Sequence, residues 1–386
     1  MADFTRRLRI ELPRGQSTFL WGPRKTGKTT YLRSAFPDSL RYDLLDTDLL
    51  LELTKRPALL RERIAAAGAR ARRRPIIIDE VQKVPSLMDE VHGLIENRGL
   101  RFILCGSSAR KLKRGRANLL GGRAWRHEMH PLVSAEVKSL DLLTALNRGM
   151  IPSHYRDARY ERSLQAYVRD YLKEEIFDEG LARNMPAFSR FLDAVGYTHG
   201  ELTNYANIAR DCGVDAKTVK GYYQILADTL LGAMIEPYKR RQERRVISKA
   251  GKFYLFDVGV AGALTKRRLT EERGEPFGRA FEHFILMEIL AHRSYEHLDY
   301  DVNFWRTKSG LEVDFVLARG EVAIEVKGTR RVDQPEFRSL KAFSGEHRPR
   351  QAIMVCNERV SRDHEGIRVL PWREFLESLW AGRILA

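Results

Sequence analysis

The apolar positions along the chain form short continuous runs in the first third and follow helical spacing after it. The runs are bounded by glycine or charged residues, as is typical of buried strands in a parallel sheet. Five of them predict strands, at 17–21, 40–46, 75–80, 101–105 and 124–130. The stretch 87–98 has apolar residues at helical spacing. Strands that alternate with helices predict an α/β fold with right-handed crossovers.

A helical region is predicted for residues 134–195, where charged and apolar residues alternate at helical spacing. Residues 196–264 then carry a helix-turn-helix pattern. Its first helix is expected to end near Arg210, and Asp215 is a good N-cap for the second. Three residues would point outward near the start of the second helix, where they are candidates for contact with DNA or with a protein: Lys217, Thr218 and Lys220.

The charge balance changes this picture, because 67 Lys and Arg residues stand against 51 Asp and Glu, a net charge of +16 over 386 residues. A basic surface concentrates polyanions, so nucleic acid is the first expected partner. The basic run 239–245 favours phosphate contact over a solvated face. Three scattered cysteines exclude a disulfide framework. The lack of an apolar run of about 18 residues predicts a cytoplasmic protein that does not bind a membrane.

The most specific motif is G-x-x-x-x-G-K-[ST], which residues 22–29 match between a predicted strand and a predicted helix. Its glycines allow the positive φ that turns backbone N–H groups toward a phosphate. Lys28 is expected to reach the β- and γ-phosphates of ATP, and the Thr29 hydroxyl to ligate Mg²⁺. The predicted ATP-binding residues run continuously through the loop: Gly22, Pro23, Arg24, Lys25, Thr26, Gly27, Lys28, Thr29 and Thr30.

Such a loop predicts an acidic residue at the end of a second buried strand. Asp79 and Glu80 end the run PIIIDE; Asp79 would hold Mg²⁺ through water, and Glu80 would polarise the attacking water as general base. The alternative for a strand-end Asp-Glu pair is a helix N-cap. The strand 101–105 leads to Ser107, preferred over Ser108 as the residue that positions water against the γ-phosphate. A plain Gly-Ser turn is the alternative there.

Two strands within 311–327 are predicted to form a hairpin with its turn at 319–320. Cross-strand partners then lie on one face, and they are Asp314 with Glu325 and Glu312 with Lys327. Two facing carboxylates repel each other, and Mg²⁺ or Mn²⁺ would relieve that repulsion, while Lys327 orients water or stabilises developing charge. A surface ion pair between Glu312 and Lys327 is the alternative interpretation.

Several segments resemble one large prokaryotic family of AAA+-like ATP-binding proteins with a C-terminal domain of uncharacterised function. They are GPRKTGKTT, IIIDEVQKVP, CGSSARKL, LLGGRAWRHEMHPL, YVRDYLKEEI and WRTKSGLEVDFVL with EVAIEVK. The resemblance implies four domains: an AAA+-like ATPase core at 1–133, a helical lid at 134–195, a winged-helix-like module at 196–264 and a restriction-endonuclease-like domain at 275–386.

The resemblance also implies site residues. Asp314, Glu325 and Lys327 match the D…E-x-K signature of the restriction-endonuclease-like fold, and Glu282 takes the place of its additional helix carboxylate. The implied metal ligands there are Glu282, Asp314 and Glu325. Arg123 precedes the last strand, where AAA+ ATPases often carry an arginine finger that acts in a neighbouring subunit. A homo-oligomer, with a ring as one arrangement, is therefore expected. The competing arginines are Arg110, Arg116 and Arg126.

These features predict an ATPase that acts on nucleic acid, expected to be DNA, with a nuclease-like C-terminal domain that binds or cleaves it. The alternative is a nucleotide-switched protein that holds DNA or a protein partner without cutting. A small-molecule kinase is disfavoured by the additional domains and by the basic charge.

Overall fold

The computed structural model describes residues 4–13, 15–107, 110, 112, 120–171, 184–239 and 250–385. These residues fold into two compact units. The N-terminal unit comprises Thr5–His130 together with Asp228–Leu231. The C-terminal unit comprises Pro131–Ala227 and Gly232–Ala386, within the described residues. Each unit has its own sheet and its own buried apolar core.

The N-terminal unit is an α/β fold built on five parallel strands in the order β2-β3-β4-β1-β5. The strands are β1 Ser17–Trp21, β2 Arg41–Asp43, β3 Ile76–Asp79, β4 Phe102–Gly106 and β5 Ala124–Glu128. The helices are α1 Lys28–Ala35, α2 Thr47–Lys55, α3 Leu59–Ala66, α4 Arg70–Arg73 and α5 Leu87–Arg98. All five predicted strands are present, and the predicted α/β fold class is confirmed.

The central strands form because their continuous apolar runs are buried on both faces. Strand β3 is buried along its whole length, and so are β4 beside it and β1, which leads into the nucleotide-binding loop. Helix α5 turns one apolar face to this core, and Gly99 ends it in the left-handed conformation with φ 61. The rigid sheet brings the ends of β1, β3 and β4 to one edge, where the polar residues of the site lie.

The C-terminal unit begins with helices, as predicted for 134–195. They are α6 Leu142–Arg148, α7 Pro152–Arg156, α8 Tyr160–Ala166 and α9 Met185–Thr198, with a π-helical turn at Tyr167–Tyr171. Residues 172–183, which include part of YVRDYLKEEI, lie outside the described residues.

A helix-turn-helix follows, formed by α10 Tyr205–Cys212 and α11 Ala216–Asp228. Gly213, with φ 68, ends the first helix, so that helix extends two residues beyond the predicted end at Arg210. Asp215 accepts a hydrogen bond of 2.7 Å from the Thr218 N–H, as an N-cap does. Lys217 and Lys220 are exposed, whereas the Thr218 hydroxyl also donates to Asp215.

The second sheet has eight strands in the order β12-β13-β11-β10-β9-β8-β6-β7. They are β6 Gly232–Pro237, β7 Lys252–Leu255, β8 Val302–Arg306, β9 Glu312–Leu317, β10 Val322–Lys327, β11 Gln351–Cys356, β12 Arg362–His364 and β13 Ile367–Pro371. The remaining helices are α12 Val258–Leu264, α13 Glu275–Tyr295, α14 Arg338–His347 and α15 Trp372–Trp380. Strands β10, β11 and β13 are parallel, and β9 pairs antiparallel with β10.

The wing of the predicted winged helix is the antiparallel hairpin β6–β7, and it is part of this sheet. Glu236 of β6 pairs in parallel register with Asn303 of β8. Apart from Asp228–Leu231, the described residues of the segments predicted as separate domains at 134–195, 196–264 and 275–386 lie in one compact unit. Among the described residues, no helix is both long and apolar enough to cross a membrane.

Candidate functional site

The nucleotide-binding loop connects the end of β1 to the start of α1. Gly27 has φ 93 and Lys25 has φ 64, so two residues of the loop take the left-handed conformation. Such a conformation turns consecutive backbone N–H groups toward one side, which suits an anion. The partial positive charge at the N-terminus of α1 adds to this preference.

The first glycine of the motif has another role than the predicted one, since Gly22 is not in the positive-φ region. A Cβ atom at Gly22 would lie 2.5 Å from the Met129 carbonyl oxygen. The Met129 N–H donates to the Trp21 carbonyl over 2.7 Å, so the two segments are held together at this point. Gly22 is therefore required by the close approach of the backbone after β5.

Two side chains of the motif, those of Lys28 and Thr29, have defined hydrogen-bond partners. The Thr29 hydroxyl donates a 2.7 Å hydrogen bond to Asp79 Oδ2. The Lys28 ammonium is buried and donates to the carbonyls of Gly22, at 2.7 Å, and Pro23, at 3.0 Å. Both hydrogen bonds of the Lys28 ammonium thus go to neutral backbone oxygens, and neither goes to Asp79 or Glu80.

This geometry fits Mg²⁺ and a nucleotide phosphate. Thr29 and Asp79 present hydroxyl and carboxylate oxygens at one point, and hard oxygen ligands are those that Mg²⁺ prefers. The partners of Lys28 are uncharged backbone carbonyls, so its positive charge is not neutralised and can attract a phosphate. The residues present are therefore suited to hold both groups.

Glu80 has a strained backbone, with φ 56 and ψ 40. For a non-glycine residue this conformation costs about 1 kcal/mol or more. It does not act as a side-chain N-cap of the following turn, which was the alternative interpretation. Its carboxylate accepts a 2.5 Å hydrogen bond from Gln82 Nε2. The strain and the hydrogen bond together fix where this carboxylate points.

Gln82 is a residue that the sequence analysis missed. Its Nε2 also lies 3.3 Å from the Ser107 hydroxyl, so one buried amide connects Glu80 to Ser107. A Cβ atom at position 106 would come within 2.1 Å of Gln82 Oε1, so glycine is required there. The signal was available, because Gln82 follows Glu80 by two residues in DEVQ, but spacing alone does not show that the chain turns back.

The predicted arginine finger lies at the surface and has a partner. Arg123 forms an ion pair with Glu96, and its side chain is 42% exposed. Arg110 forms an ion pair with Asp228, and Arg126 is exposed. Arg116 and Ser108 lie outside the described residues. The role of Arg123 in a neighbouring subunit stays a prediction.

The hairpin in the C-terminal sheet has the predicted register. Leu317 pairs with Val322 and Phe315 with Ile324, so partners sum to 639 as expected. The turn is a 3-10 turn at Ala318–Gly320 with positive φ at all three residues. This register brings Asp314 and Glu325 near each other, and the Lys327 ammonium lies 2.6 Å from Glu325 Oε1.

The predicted pairing of Glu312 with Lys327 is wrong. Glu312 pairs instead with Arg306 of β8, at 2.8 Å, and with Lys252 of β7. The β9–β10 pairing ends at Phe315 and Ile324, and beyond it Asp314 Oδ2 accepts a hydrogen bond from the Val326 N–H at 2.8 Å. A register shift between β8 and β9 accompanies this change.

Lys252 and Tyr254 are further residues that the sequence analysis missed. Both come from the wing strand β7 and lie beside the C-terminal carboxylates. The Tyr254 hydroxyl donates to Glu282 of α13, and Lys252, with only 5% of its side chain exposed, forms its ion pair with Glu312. The carboxylate cluster, meaning Glu282, Glu312, Asp314 and Glu325, is thus completed by the wing. No sequence motif indicates that β7 contacts Glu312, which follows Lys252 by sixty positions.

The pKa values of the cluster reflect burial and crowding. Burial raises the pKa of Glu282 to about 7, and the charge of Asp314 adds to this effect. Burial, followed by the charge of Asp314, raises the pKa of Glu325 well above its usual value. Burial lowers the pKa of Lys252, but the neighbouring carboxylates, Glu282 first, outweigh it and hold that pKa above its ordinary value.

The predicted metal ligands Glu282, Asp314 and Glu325 do not fit a divalent cation in this arrangement. Each carboxylate already has a partner from the protein: Tyr254, the Val326 N–H and Lys327, respectively. Among the described residues, no group of three or more His, Cys, Asp or Glu side chains is arranged to hold a metal ion. The geometry gives the predicted Mn²⁺ no support.

The basic run at 239–245 cannot be placed at a site. Lys239 is exposed, but Arg240, Arg241, Arg244 and Arg245 lie outside the described residues. Contact of this run with phosphate stays a prediction.

Three family models match successive parts of the chain. Residues 14–138 match a family described as an AAA domain. Residues 139–271 match a domain of unknown function, DUF8612, and residues 277–375 match another, DUF4143. None of these descriptions identifies the C-terminal part as a nuclease.

Two curated relatives align along most of the chain. One uncharacterized protein of Mycobacterium bovis and one of Mycobacterium tuberculosis are each 26% identical over 366 residues, which is 90% of this chain and 80% of theirs. Among solved structures, the Aeropyrum pernix ORC1 protein in complex with DNA is 14% identical with a TM-score of 0.24, covering 66% of this chain and 87% of that one. A STAND ATPase from Pyrococcus horikoshii is 14% identical with a TM-score of 0.22, covering 73% and 47%.

The parallel sheet, the phosphate-binding loop and the AAA-domain match together define the class of the N-terminal part. They are those of a P-loop ATPase domain similar to the AAA domain, and such a domain uses ATP as its nucleotide and Mg²⁺ as its metal. The C-terminal part carries matches to domains whose function their descriptions leave open.

Proposed function

We propose that the protein hydrolyses ATP at the site formed by the loop 22–30 and the ends of β3 and β4. The observation that carries this proposal is the 2.7 Å contact of Thr29 with Asp79, beside a buried Lys28 and an oriented Glu80. Thr29 and Asp79 are the residues that would hold Mg²⁺, and the bound ion would supply positive charge that offsets the negative charge developing during phosphoryl transfer.

The protein's own residues then have separate roles. Lys28 exchanges its backbone partners for phosphate oxygens, which the loop N–H groups also bind. Glu80 accepts a proton from the attacking water, and its strained backbone and Gln82 hold its carboxylate in one direction. Ser107, at the end of β4, orients that water together with Gln82. Arg123 is proposed to act in a neighbouring subunit of a homo-oligomer.

The test of this proposal is a measurement of ATP turnover and nucleotide affinity on the full chain. We expect Mg²⁺-dependent hydrolysis in the wild type, binding without hydrolysis in Glu80→Gln, and loss of binding in Lys28→Ala. Mixing Arg123→Ala with Lys28→Ala should restore some turnover if the arginine acts between subunits. A wild type that binds no ATP would overturn the assignment.

We also propose that the ATPase acts on DNA through the helix-turn-helix. Lys217 and Lys220 are exposed at the start of α11, where the second helix of such a motif enters a groove, and the chain is strongly basic. Binding to duplex and single-stranded DNA should weaken steeply with salt, since each neutralised phosphate releases counterions. Replacing both lysines with Gln should lower the affinity and flatten the salt slope. An unchanged slope would favour a protein partner.

A second candidate function concerns the C-terminal domain, which we propose binds DNA without cleaving it. The specific observation is the ion pair of Lys252 with Glu312, which places a protein cation among the carboxylates. Incubation of the wild type with linear and supercoiled DNA in Mg²⁺ or Mn²⁺ tests this. We expect intact DNA, and cleavage that Asp314→Asn abolishes would establish the nuclease alternative.

A further inference from the structure

The carboxylate cluster of the C-terminal unit has an unusual source of positive charge. Lys252 is 4% exposed, and it reaches the cluster from the wing strand, which is remote in sequence from the D…E-x-K pattern. Its ammonium is paired with Glu312 and experiences the charges of Glu282 and Asp314. A buried ammonium is stable only when it is paired in this way.

The position of Lys252 is fixed by the backbone on both sides of it. It pairs with Ile235 in the wing hairpin and forms an isolated bridge with Leu202. Its ammonium also lies 5.3 Å from the centre of the Phe304 ring. The lysine is therefore part of the rigid sheet and does not behave as a long surface side chain that can leave the cluster.

Lys327 is the second cation of the cluster, and its charge acts mainly on Asp314 and Glu325, whereas that of Lys252 acts mainly on Glu282 and Glu312. Lys327 belongs to the same strand as Glu325, its side chain is 32% exposed, and it pairs with one oxygen of Glu325. The other oxygen, Glu325 Oε2, is buried and has no hydrogen-bond partner among the residues that the structure describes. Lys327 therefore satisfies one of the two oxygens of Glu325.

We propose that Lys252 is the resident cation beside Glu282 and Glu312 in the carboxylate cluster, and that it replaces the divalent metal ion that the sequence pattern would otherwise require. Crowded carboxylates raise one another's pKa, and a nearby ammonium opposes that rise. The ammonium on β7 does this here, and it gives Glu312 a partner that a metal ion would have to displace. Removal of that ammonium should leave Glu312 with Arg306 as its partner and convert the cluster into a divalent-cation site.

This inference goes beyond the proposed ATPase and is tested separately from it. The test uses the full chain carrying Thr29→Ala and Asp79→Asn, without nucleotide, so that the P-loop cannot contribute a metal site. Mn²⁺ binding is measured by electron paramagnetic resonance, in which bound and free Mn²⁺ are distinguished directly. Neither ATP hydrolysis nor DNA cleavage enters the measurement.

We expect no stoichiometric Mn²⁺ binding in this background. After Lys252→Met is added, about one Mn²⁺ should bind per chain, because the metal ion takes the place of the lost ammonium. Adding Asp314→Asn should abolish the new site. Lys252→Arg is the matched control, because it keeps the charge and should bind no Mn²⁺. Mn²⁺ should also raise the melting temperature of the Lys252→Met chain and leave that of Lys252→Arg unchanged.

Two results would overturn the proposal. The first is a Mn²⁺ site in the Lys252 chain that Asp314→Asn removes, since the lysine would then not exclude the metal. The second is a folded Lys252→Met chain that binds no Mn²⁺. If Lys252→Met alone fails to fold, Lys252→Met with Glu312→Gln also removes the charge of Glu312 and carries the same expectation, with the remaining three carboxylates as ligands.

Discussion

The two units each place a buried lysine beside carboxylates, but the lysines have different partners. Lys28 donates to the neutral carbonyls of Gly22 and Pro23, whereas Lys252 forms an ion pair with Glu312. The first lysine forms no ion pair with Asp79 or Glu80 in the described part of the chain, and its charge is available for a phosphate. The second lysine neutralises its neighbours. The partner of the lysine, more than its presence, decides whether an acidic site is open to a ligand.

The largest effect that would sharpen this comparison is expected at Glu80. Glu80→Gln keeps the size of the side chain and removes the base, so turnover should fall by about 10²–10⁴-fold. ATP affinity should stay close to that of the wild type, because the Thr29–Asp79 contact is retained. Single-turnover hydrolysis and a fluorescent-nucleotide titration measure the two quantities. Full turnover would remove Glu80 from the mechanism.

Lys252→Met should lower the free energy of unfolding by about 3 kcal/mol, because it breaks the ion pair of a buried ammonium while Glu312 keeps Arg306 as a partner. Urea denaturation monitored by circular dichroism measures this loss. Lys252→Arg should lose much less. The site in the N-terminal unit contains none of the affected residues, so ATP binding should persist below the unfolding transition. A stability equal to that of the wild type would contradict the ion-pair role.

Lys28→Met is the matched change in the other unit and should have the opposite profile. Because its present partners are carbonyls, loss of the ammonium should change stability by about 1 kcal/mol, the value of an ordinary hydrogen bond. Nucleotide affinity should fall by about 10²–10³-fold, the usual effect of removing one strong phosphate-directed donor. The same denaturation and titration measurements apply. Strong destabilisation with unchanged affinity would reverse the comparison.

The smallest effect is expected at Gln82, which touches Glu80 and Ser107 but lies outside the phosphate-binding loop. Gln82→Leu should lower kcat by about 10-fold, corresponding to one hydrogen bond to a charged group, with KM for ATP unchanged. In a Glu80→Gln background the same change should cause no further loss, because its effect acts through Glu80. Additive losses would indicate a purely structural role.

The sequence was sufficient for features that depend on local pattern. The five strands of the first sheet, the helix 87–98 and the cap at Asp215 follow from apolar runs and capping chemistry, and the structure contains them. The register of the β9–β10 hairpin also followed, since a short turn fixes which residues face each other. These are short-range consequences of backbone geometry.

Contacts between segments far apart in the chain could not be predicted from such local patterns. The predicted pairing of Glu312 with Lys327 was wrong because the register shift in β8 and the ion pair with Lys252 involve strands far apart in the chain. The predicted positive φ at Gly22 was wrong, because glycine is needed there for the approach of Met129, which depends on how the chain leaves β5. Gln82 stayed unnoticed because it reaches Ser107 only after the chain turns at Glu80.

The pairing of β6 with β8 has a consequence for how the chain can be divided. A fragment that starts at the boundary between the two matched families of unknown function, at 272–276, would lack β6 and β7. Strand β8 would then become an open edge with unpaired backbone N–H and C=O groups, which is a template for pairing between chains. Such a fragment should aggregate, whereas one beginning near Pro131 would keep the whole sheet closed at this side by its own hairpin.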